Sequence, residues 1–208
     1  GGVCGSALAQ AGQLTGVLHT ASVFKTIKFI VIAPLLGMAL GLLFISLLMR
    51  LLHHTPPRKV DHVFRFIQLG SAAMYSMGHG TNDAQKTMGV IAALLFTSIW
   101  ADQQGAFAAG QAEIPFWIAL ACFVTIAAGT MAGGWRIVKT MGLKITKLKP
   151  HGGACAETAA ALTLFMSTHL GVPVSTTHTI TGAIIGVGSV QRLSAVRWGV
   201  ARNVVWAW

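Results

Sequence analysis

One uninterrupted apolar stretch restricts the fold of this chain more than any other feature. Residues 29–49 contain no charged side chain. A helix over this range would be about 32 Å long, enough to cross the roughly 30 Å hydrocarbon core of a bilayer. Pro34, Gly37 and Gly41 lie inside the stretch, and a membrane helix tolerates them because neighbouring groups satisfy the freed backbone. The stretch therefore predicts a membrane-spanning helix.

The composition agrees with a bilayer as the solvent. Of the 208 residues, 54% are hydrophobic and only 10% are charged, whereas soluble domains carry about a quarter charged residues. The net charge of +10 could indicate nucleic acid, but the basic residues form short patches between apolar runs, without interleaved aromatics. Such patches are typical of cytoplasmic membrane loops. We expect an all-α polytopic membrane protein that does not bind nucleic acid.

Three further apolar regions follow the first. Residues 114–135 predict another span, whereas residues 66–100 are longer than one span and are interrupted by the polar stretch 78–86. In the third region, two short apolar arms, 154–170 and 180–190, flank a tip rich in Pro, Ser and Thr. We expect a broken helix over residues 66–100 and a re-entrant helical hairpin over residues 154–190. Two full spans are the alternative to the hairpin.

Lysine and arginine set the expected orientation. Residues 50–65 and 136–149 are rich in both, whereas residues 101–113 contain neither. The positive-inside rule then places the first two segments in the cytoplasm and the third outside. A further basic patch after the second arm predicts that both arms enter and leave on the cytoplasmic side; its members are Arg192, Arg197 and Arg202.

Cysteines and loop histidines give no sign of a metal centre. Cys4, Cys122 and Cys155 lie in apolar or small-residue surroundings without CxxC spacing, so packed free thiols are expected. His53 and His54 are neighbours in a basic, proline-containing loop and are expected to be solvated. We expect no resident metal ion.

The polar stretch 78–86 places Asn82, Asp83 and Lys86 inside an apolar segment, close to His79. A charged side chain at the bilayer centre costs about 2.5–3.5 kcal/mol on the insertion scale, so it usually faces a partner or a cavity. One interpretation is a structural Asp83–Lys86 pair at i,i+3. The other is an ion or substrate site at a helix loosened by glycines.

A second polar cluster lies at the tip between the two arms. Ser175, Thr176 and Thr177 precede a helix expected from Ile180 onward, and His178 lies beside them. Hydroxyl donors at a helix N-terminus predict an anion site, although the same side chains could serve as N-caps. The two roles are compatible, because a cap can also bind an oxyanion.

Glu157 is the other acidic residue in the apolar part of this half of the chain. It could bind a cation or proton, or it could be a hydrogen-bonded structural group. The sequence leaves both alternatives open.

These motifs resemble the inorganic phosphate transporter (Pit, or PHO4) family. Residues 80–83, Gly-Thr-Asn-Asp, look like its Gly-x-Asn-Asp signature, and residues 173–178 look like its hairpin tip; residues 197–203 are similar too. The resemblance covers nearly the whole chain. Many members follow Asn-Asp with small residues ending in Asn, whereas residues 84–87 here are Ala-Gln-Lys-Thr. This departure resembles a bacterial subgroup and leaves the coupling ion open.

The resemblance implies two inverted repeats that share one phosphate site, and a weak internal similarity supports it. Residues 1–5 and 23–28 resemble residues 182–186 and 196–202, and each pair leads into an apolar helix. The chain starts without Met and stops within an apolar run, so we expect a fragment of one transmembrane transporter domain. Its expected parts are the end of the first repeat with its last span (1–50), a cytoplasmic linker (51–65) and a truncated second repeat (66–208).

The implied function is symport of inorganic phosphate with H+ or Na+ across the bacterial cytoplasmic (inner) membrane. Phosphate would cross free or as a metal–phosphate complex, without a resident cofactor. The partners would be phosphate, the coupling cation and the bilayer, with a second copy of the chain as a candidate. The implied phosphate-binding residues are Asn82, Asp83, Ser175, Thr176 and Thr177; the coupling-ion residues are Asp83, Asn82 and Glu157; the accessory residues are His79, Lys86 and His178.

Three alternatives differ from this reading in substrate or in class. A sulfate or other oxyanion symporter would use the same donors. An ion channel with a re-entrant loop is a second alternative, although no carbonyl-rich filter repeat occurs. An intramembrane enzyme is the third, but the sequence contains neither HExxH nor GxSxG, so we do not expect an enzyme.

Overall fold

A computed structural model describes residues 20–100, 102, 105, 113–139, 145–191 and 196–206. No β-strand occurs in these residues, which agrees with the all-α prediction. The described residues contain six helices in this order: α1 (Thr20–Leu51), α2 (Pro57–Ser98), α3 (Phe116–Lys139), α4 (Pro150–His169), α5 (Thr176–Gln191) and α6 (Trp198–Trp206).

Helices α1 and α3 contain the two uninterrupted apolar spans. The mean hydropathy over 18 residues reaches 2.5 within Val23–Leu51 and 1.8 within Phe116–Trp135, and both ranges are long enough to cross a membrane. Other helices cover little of either surface: Leu35 and Phe116, for example, are exposed. Large apolar side chains on an uncovered helix face suit contact with lipid.

Helix α2 corrects the prediction of a broken helix. It continues without a break through Gly78 and Gly80 to Ser98, because a glycine weakens a helix by only about 1 kcal/mol and does not remove its hydrogen bonds. A side chain at position 78 would contact Leu164 of α4, so this glycine permits close helix packing. Residues 57–65 of the expected cytoplasmic linker form the first turns of α2.

Glycines bring α1 and α5 into close contact. Gly37 and Gly41 on α1 are four residues apart, as are Gly182 and Gly186 on α5. A Cβ added at Gly37 would lie 2.7 Å from the Thr179 carbonyl oxygen. Small residues at this spacing let two membrane helices pack backbone against backbone. This contact attaches α5 to the apolar helix α1.

Helices α4 and α5, which contain the two predicted apolar arms, pack against each other and are joined by a short turn, here called the hairpin turn. Helix α4 ends where Gly171 takes the left-handed conformation, with φ of +64°, and the Val172 N–H returns to the Ser167 carbonyl. This is a common helix-ending arrangement. Helix α5 begins at Thr176, which corrects the expected start at Ile180. Helix α2 packs against α4 on one side and α3 on another.

Several sequence predictions fall outside the described residues. They concern residues 1–5 of the internal repeat, Cys4, Arg192 and nearly all of the loop 101–113. Within the described part, Cys122 and Cys155 are buried free thiols, as predicted.

Candidate functional site

Asp83 lies where the middle of α2 meets the first turn of α5. Its carboxylate oxygen Oδ2 accepts a hydrogen bond from the Thr176 hydroxyl at 3.2 Å. The other oxygen, Oδ1, accepts one from the Lys86 ammonium at 2.8 Å. Nε2 of His79 lies 3.6 Å from Oδ2. The structure thus brings together four residues that the sequence analysis singled out in two separate motifs.

Lys86 also connects α2 to the hairpin. Its Nζ donates to the carbonyl oxygen of Val174, in the turn between α4 and α5, at 2.7 Å. Asp83 contacts Thr176 in the same region, so two contacts three residues apart on α2 fix the hairpin turn. The predicted i,i+3 pair therefore exists and takes part in a contact between helices.

Ser175 caps α5, as one of the two interpretations predicted. Its Oγ accepts the His178 N–H at 3.4 Å, and its carbonyl accepts the Thr179 N–H at 3.1 Å. The first backbone N–H groups of α5 have no partner within their own helix. Thr176 and Thr177 belong to this first turn and present hydroxyls next to those groups, which is favourable for an anion.

Asn82 is buried beside Asp83, with only 4% of its surface exposed. Among the described residues, its amide oxygen has no hydrogen-bond partner, and neither has the hydroxyl of Thr168 on α4. Asn82, Lys86 and Thr168 all line a cavity of about 770 Å³ between α2 and the hairpin turn. A buried polar atom without a partner is costly, so these two atoms mark a place where a ligand or water would be stabilised.

Glu157 lies on α4, apart from the Asp83 cluster. Its two carboxylate oxygens accept hydrogen bonds from the Ser71 hydroxyl at 2.5 Å and from the Gln68 amide at 3.3 Å. It lines a larger cleft of about 1090 Å³, together with His79 and Thr177. The structure therefore does not bring Glu157 into contact with Asp83, but His79 borders both the cleft and the Asp83 carboxylate.

Sequence analysis missed four polar residues of this region: Gln68, Ser71, Tyr75 and Thr168. The first three continue the line of His79, Asn82, Asp83 and Lys86 along one side of α2, at steps of three and four residues. Helical periodicity could have found them. It was overlooked because the glycines at 78 and 80 were interpreted as a helix break.

The chemistry of the described residues suits an oxyanion. Lys86, the Thr176 hydroxyl and the start of α5 supply positive charge and hydrogen-bond donors next to Asp83. Asp83 supplies negative charge in the same place, so an anion would need a cation close by. The arrangement can hold an anion and a cation together.

Comparison with known proteins agrees with this chemistry. A model of the phosphate transporter family matches residues 1–208. A probable low-affinity inorganic phosphate transporter of Rhizobium meliloti is 52% identical over all 208 residues, which cover 60% of its length. A protein of the same description from Mycobacterium bovis is 39% identical over the whole chain and 48% of its own length. The chain thus spans 48–60% of the length of these relatives.

More distant relatives extend the comparison. The sodium-dependent phosphate transporter 1-A of Danio rerio is 35% identical over 150 residues, or 72% of this chain and 22% of that protein. A solved structure of a sodium-dependent phosphate transporter superposes with a TM-score of 0.74 at 23% identity, covering 89% of this chain and 62% of the other. That structure supports the fold. The matched family consists of transporters rather than enzymes, and this chain is a membrane protein of the phosphate transporter family.

Proposed function

We propose that the chain forms the C-terminal part of a symporter that carries inorganic phosphate across the bacterial cytoplasmic membrane. In this proposal, residues 20–51 end a first repeat and residues 57–206 belong to a second, inverted one. The hairpin α4–α5 re-enters the membrane from the cytoplasmic side, and alternating access moves one repeat against the other. The contact between α2 and the capped start of α5, made by Asp83 and Lys86, carries the proposal.

Phosphate would bind at the start of α5. Ser175, Thr176 and Thr177 would donate hydroxyl hydrogen bonds beside the backbone N–H groups of the first turn, and Asn82 would contact the anion from α2. Hydrogen bonds to a charged group contribute about 1.5–3 kcal/mol each. A second set from the other repeat would complete the site.

The acceptor atoms near this place favour phosphate over sulfate. The buried amide oxygen of Asn82 has no partner among the described residues, and the Asp83 carboxylate also accepts hydrogen bonds. Phosphate at neutral pH still carries at least one proton that it can donate, whereas sulfate carries none. A site with buried acceptors rejects a ligand without donors, because the acceptors then stay unpaired.

Charge balance would couple phosphate to a cation. Phosphate carries between one and two negative charges at neutral pH, and the carboxylates of Asp83 and Glu157 add two more, of which Lys86 offsets one. Repulsion between these negative charges is strong in a medium of low dielectric constant. H+ or Na+ bound by one of the carboxylates reduces it, so phosphate and the cation bind more favourably together than either does alone. Asp83 with Asn82, and Glu157, are the candidates for this carboxylate.

The test uses a family-length carrier that contains these 208 residues, here called the full-length carrier, in proteoliposomes. We expect Asp83→Asn to reduce accumulation of labelled phosphate at least about tenfold, because the variant removes a candidate cation ligand and the carboxylate that positions Lys86 and Thr176. Asp61→Asn is the matched control: it removes a carboxylate of α2 that pairs with His151, and neither of these residues lines either cavity. Its uptake should stay within about twofold of the wild type.

Imposed pH and Na+ gradients in the same vesicles identify the coupling ion. Sulfate in excess should leave phosphate uptake unchanged, and counterflow of labelled phosphate should occur, as a carrier requires. Wild-type accumulation by Asp83→Asn at a similar protein level would reduce Asp83 to a structural role. Uptake without counterflow would favour a channel.

A further inference from the structure

The Lys86 ammonium is held by oxygen atoms of the kind that bind alkali metal ions. They are a carboxylate oxygen of Asp83 at 2.8 Å and the carbonyl oxygen of Val174 at 2.7 Å. Carboxylates and backbone carbonyls next to helix ends are common Na+ ligands in transporters. Two further oxygens belong to the same region: the Thr176 hydroxyl, bonded to Asp83, and the amide oxygen of Asn82, a residue that lines the same cavity as Lys86 and whose amide oxygen has no partner among the described residues.

We infer that Lys86 is a built-in counter-ion that occupies the alkali-ion position at Asp83, so this half of the site takes up phosphate without a metal ion at that carboxylate. The inference rests on the proposed function in treating Asp83 as part of the phosphate site. It also distinguishes between the two carboxylates that are candidates for binding the coupling cation. Glu157, which contacts a hydroxyl and an amide, then becomes the carboxylate that takes the coupling cation.

Lys86 and a metal ion exclude each other at Asp83. The ammonium has three donors and no acceptor, so it cannot share in coordinating a cation. Two positive charges a few ångströms apart also repel each other strongly when partly shielded from water, and the side chains of Asp83 and Lys86 are only 28% and 41% exposed. The tethered ammonium has the higher effective concentration, since it is part of the chain.

Lys25 on α1 provides the matched comparison, because it contacts the same hairpin turn. Its Nζ donates to the carbonyl oxygen of Leu170 at 2.9 Å, at the end of α4. Both lysines thus bind a backbone carbonyl of the hairpin turn from another helix. Only Lys86 has a recorded contact with a carboxylate among the described residues. Removing Lys25 therefore loosens the turn without exposing a negative charge.

The experiment measures thermal unfolding of the purified 208-residue chain in detergent, in NaCl and in choline chloride of equal ionic strength. The quantity of interest is the Na+-specific increase in melting temperature. For Lys86→Gln we expect it to exceed the wild-type value by roughly 2–5 °C, because Na+ binds the vacated oxygens and stabilises the fold. The excess should disappear in Lys86→Gln combined with Asp83→Asn.

Three further variants should match the wild type in this Na+-specific increase. Lys86→Arg keeps the positive charge, Lys25→Gln keeps the Asp83 pair, and Asp83→Asn removes a carboxylate that Lys86 already neutralises. If Lys86→Gln does not fold, the comparison of the wild type with Asp83→Asn decides the question: equal increases support the inference.

Two results would overturn the inference. One is a Na+-specific increase in the wild type that Asp83→Asn removes, because the carboxylate would then bind Na+ beside Lys86. The other is a folded Lys86→Gln that loses stability equally in both salts, as a purely structural tether would. Neither measurement involves phosphate or transport, so this inference and the proposed symport can fail independently.

Discussion

At the scale of single residues, Thr176 connects the two motifs. Its hydroxyl donates to Asp83 and lies in the first turn of α5, where a phosphate oxygen would also bind. A hydroxyl has one donor and two acceptor lone pairs, so Thr176 can donate either to the carboxylate or to an incoming anion. If the hydroxyl turns to phosphate, Asp83 loses one hydrogen bond. Phosphate binding would therefore be coupled to the Asp83 carboxylate through the Thr176 hydroxyl.

The prediction at this scale concerns Thr176→Val, which keeps the shape and removes the hydroxyl. In the full-length carrier we expect the KM for phosphate to increase roughly tenfold or more, because a hydrogen bond to a charged group is lost. Thr176→Ser should restore most of the affinity.

The matched control is Thr179→Val on the same helix. The Thr179 hydroxyl bonds the Ser175 carbonyl of its own helix at 3.0 Å, and it has no recorded contact with Asp83. Its KM should change by less than about threefold. Equal effects of the two valine variants on KM would show that the loss is one of helix stability rather than of phosphate binding.

At the scale of elements, the packing of α1 on α5 depends on glycine. The carbonyls of Pro34 and Met38 on α1 face Gly182 and Gly186 so closely that no side chain fits between the backbones. Van der Waals contact drives helix association in a bilayer, since burial from water contributes little there. The position of the hairpin therefore depends on these glycines.

The prediction is that Gly182→Ala lowers the melting temperature of the purified chain by roughly 5 °C or more, because the new methyl group forces α1 and α5 apart. Gly70→Ala is the control, since a Cβ at this helical position meets nothing within 4 Å. It should be neutral or slightly stabilising, as alanine is the better helix former. A Gly182→Ala chain as stable as Gly70→Ala would contradict the close packing.

The elements also show which predictions sequence allows. The apolar range 29–49, the span from Ile114 and both hairpin arms were found from hydrophobicity alone, because bilayer thickness fixes how long such runs must be. The continuity of α2 was not found. A glycine that breaks a helix and one that permits close packing look identical in sequence, and only the neighbouring Leu164 distinguishes them at position 78.

The candidate site, too, could be predicted from the sequence only in part. Motifs identified Asp83, Lys86 and Thr176 as polar residues in apolar surroundings. The hydrogen bonds that connect α2 to the hairpin turn, however, join residues more than 80 positions apart in the sequence. Hydrophobic patterning says little about which polar residues will meet. The carbonyl of Val174 could not have been identified at all, because every residue carries one and only the turn geometry selects it.

At the scale of the whole molecule, the described residues would supply half of the proposed shared site. They provide one Asn-Asp pair and one hydroxyl-rich helix start, and the large cleft beside Glu157 is open rather than enclosed by these helices. The chain also matches only 60% of the Rhizobium meliloti relative. A carrier with two inverted repeats binds its substrate between them, so each half alone leaves one side of the substrate in water.

We therefore predict that residues 1–208 alone give no saturable phosphate uptake in proteoliposomes. Losing several hydrogen bonds to a charged ligand, at about 1.5–3 kcal/mol each, removes useful affinity. Reconstitution together with the part of the Rhizobium meliloti relative that this chain does not match should restore saturable uptake, at least in part. The same mixture with Asp83→Asn is the control and should remain inactive, which ties any recovered transport to this chain. Saturable uptake by residues 1–208 alone would place the complete site within these helices, and the shared-site proposal would then be wrong.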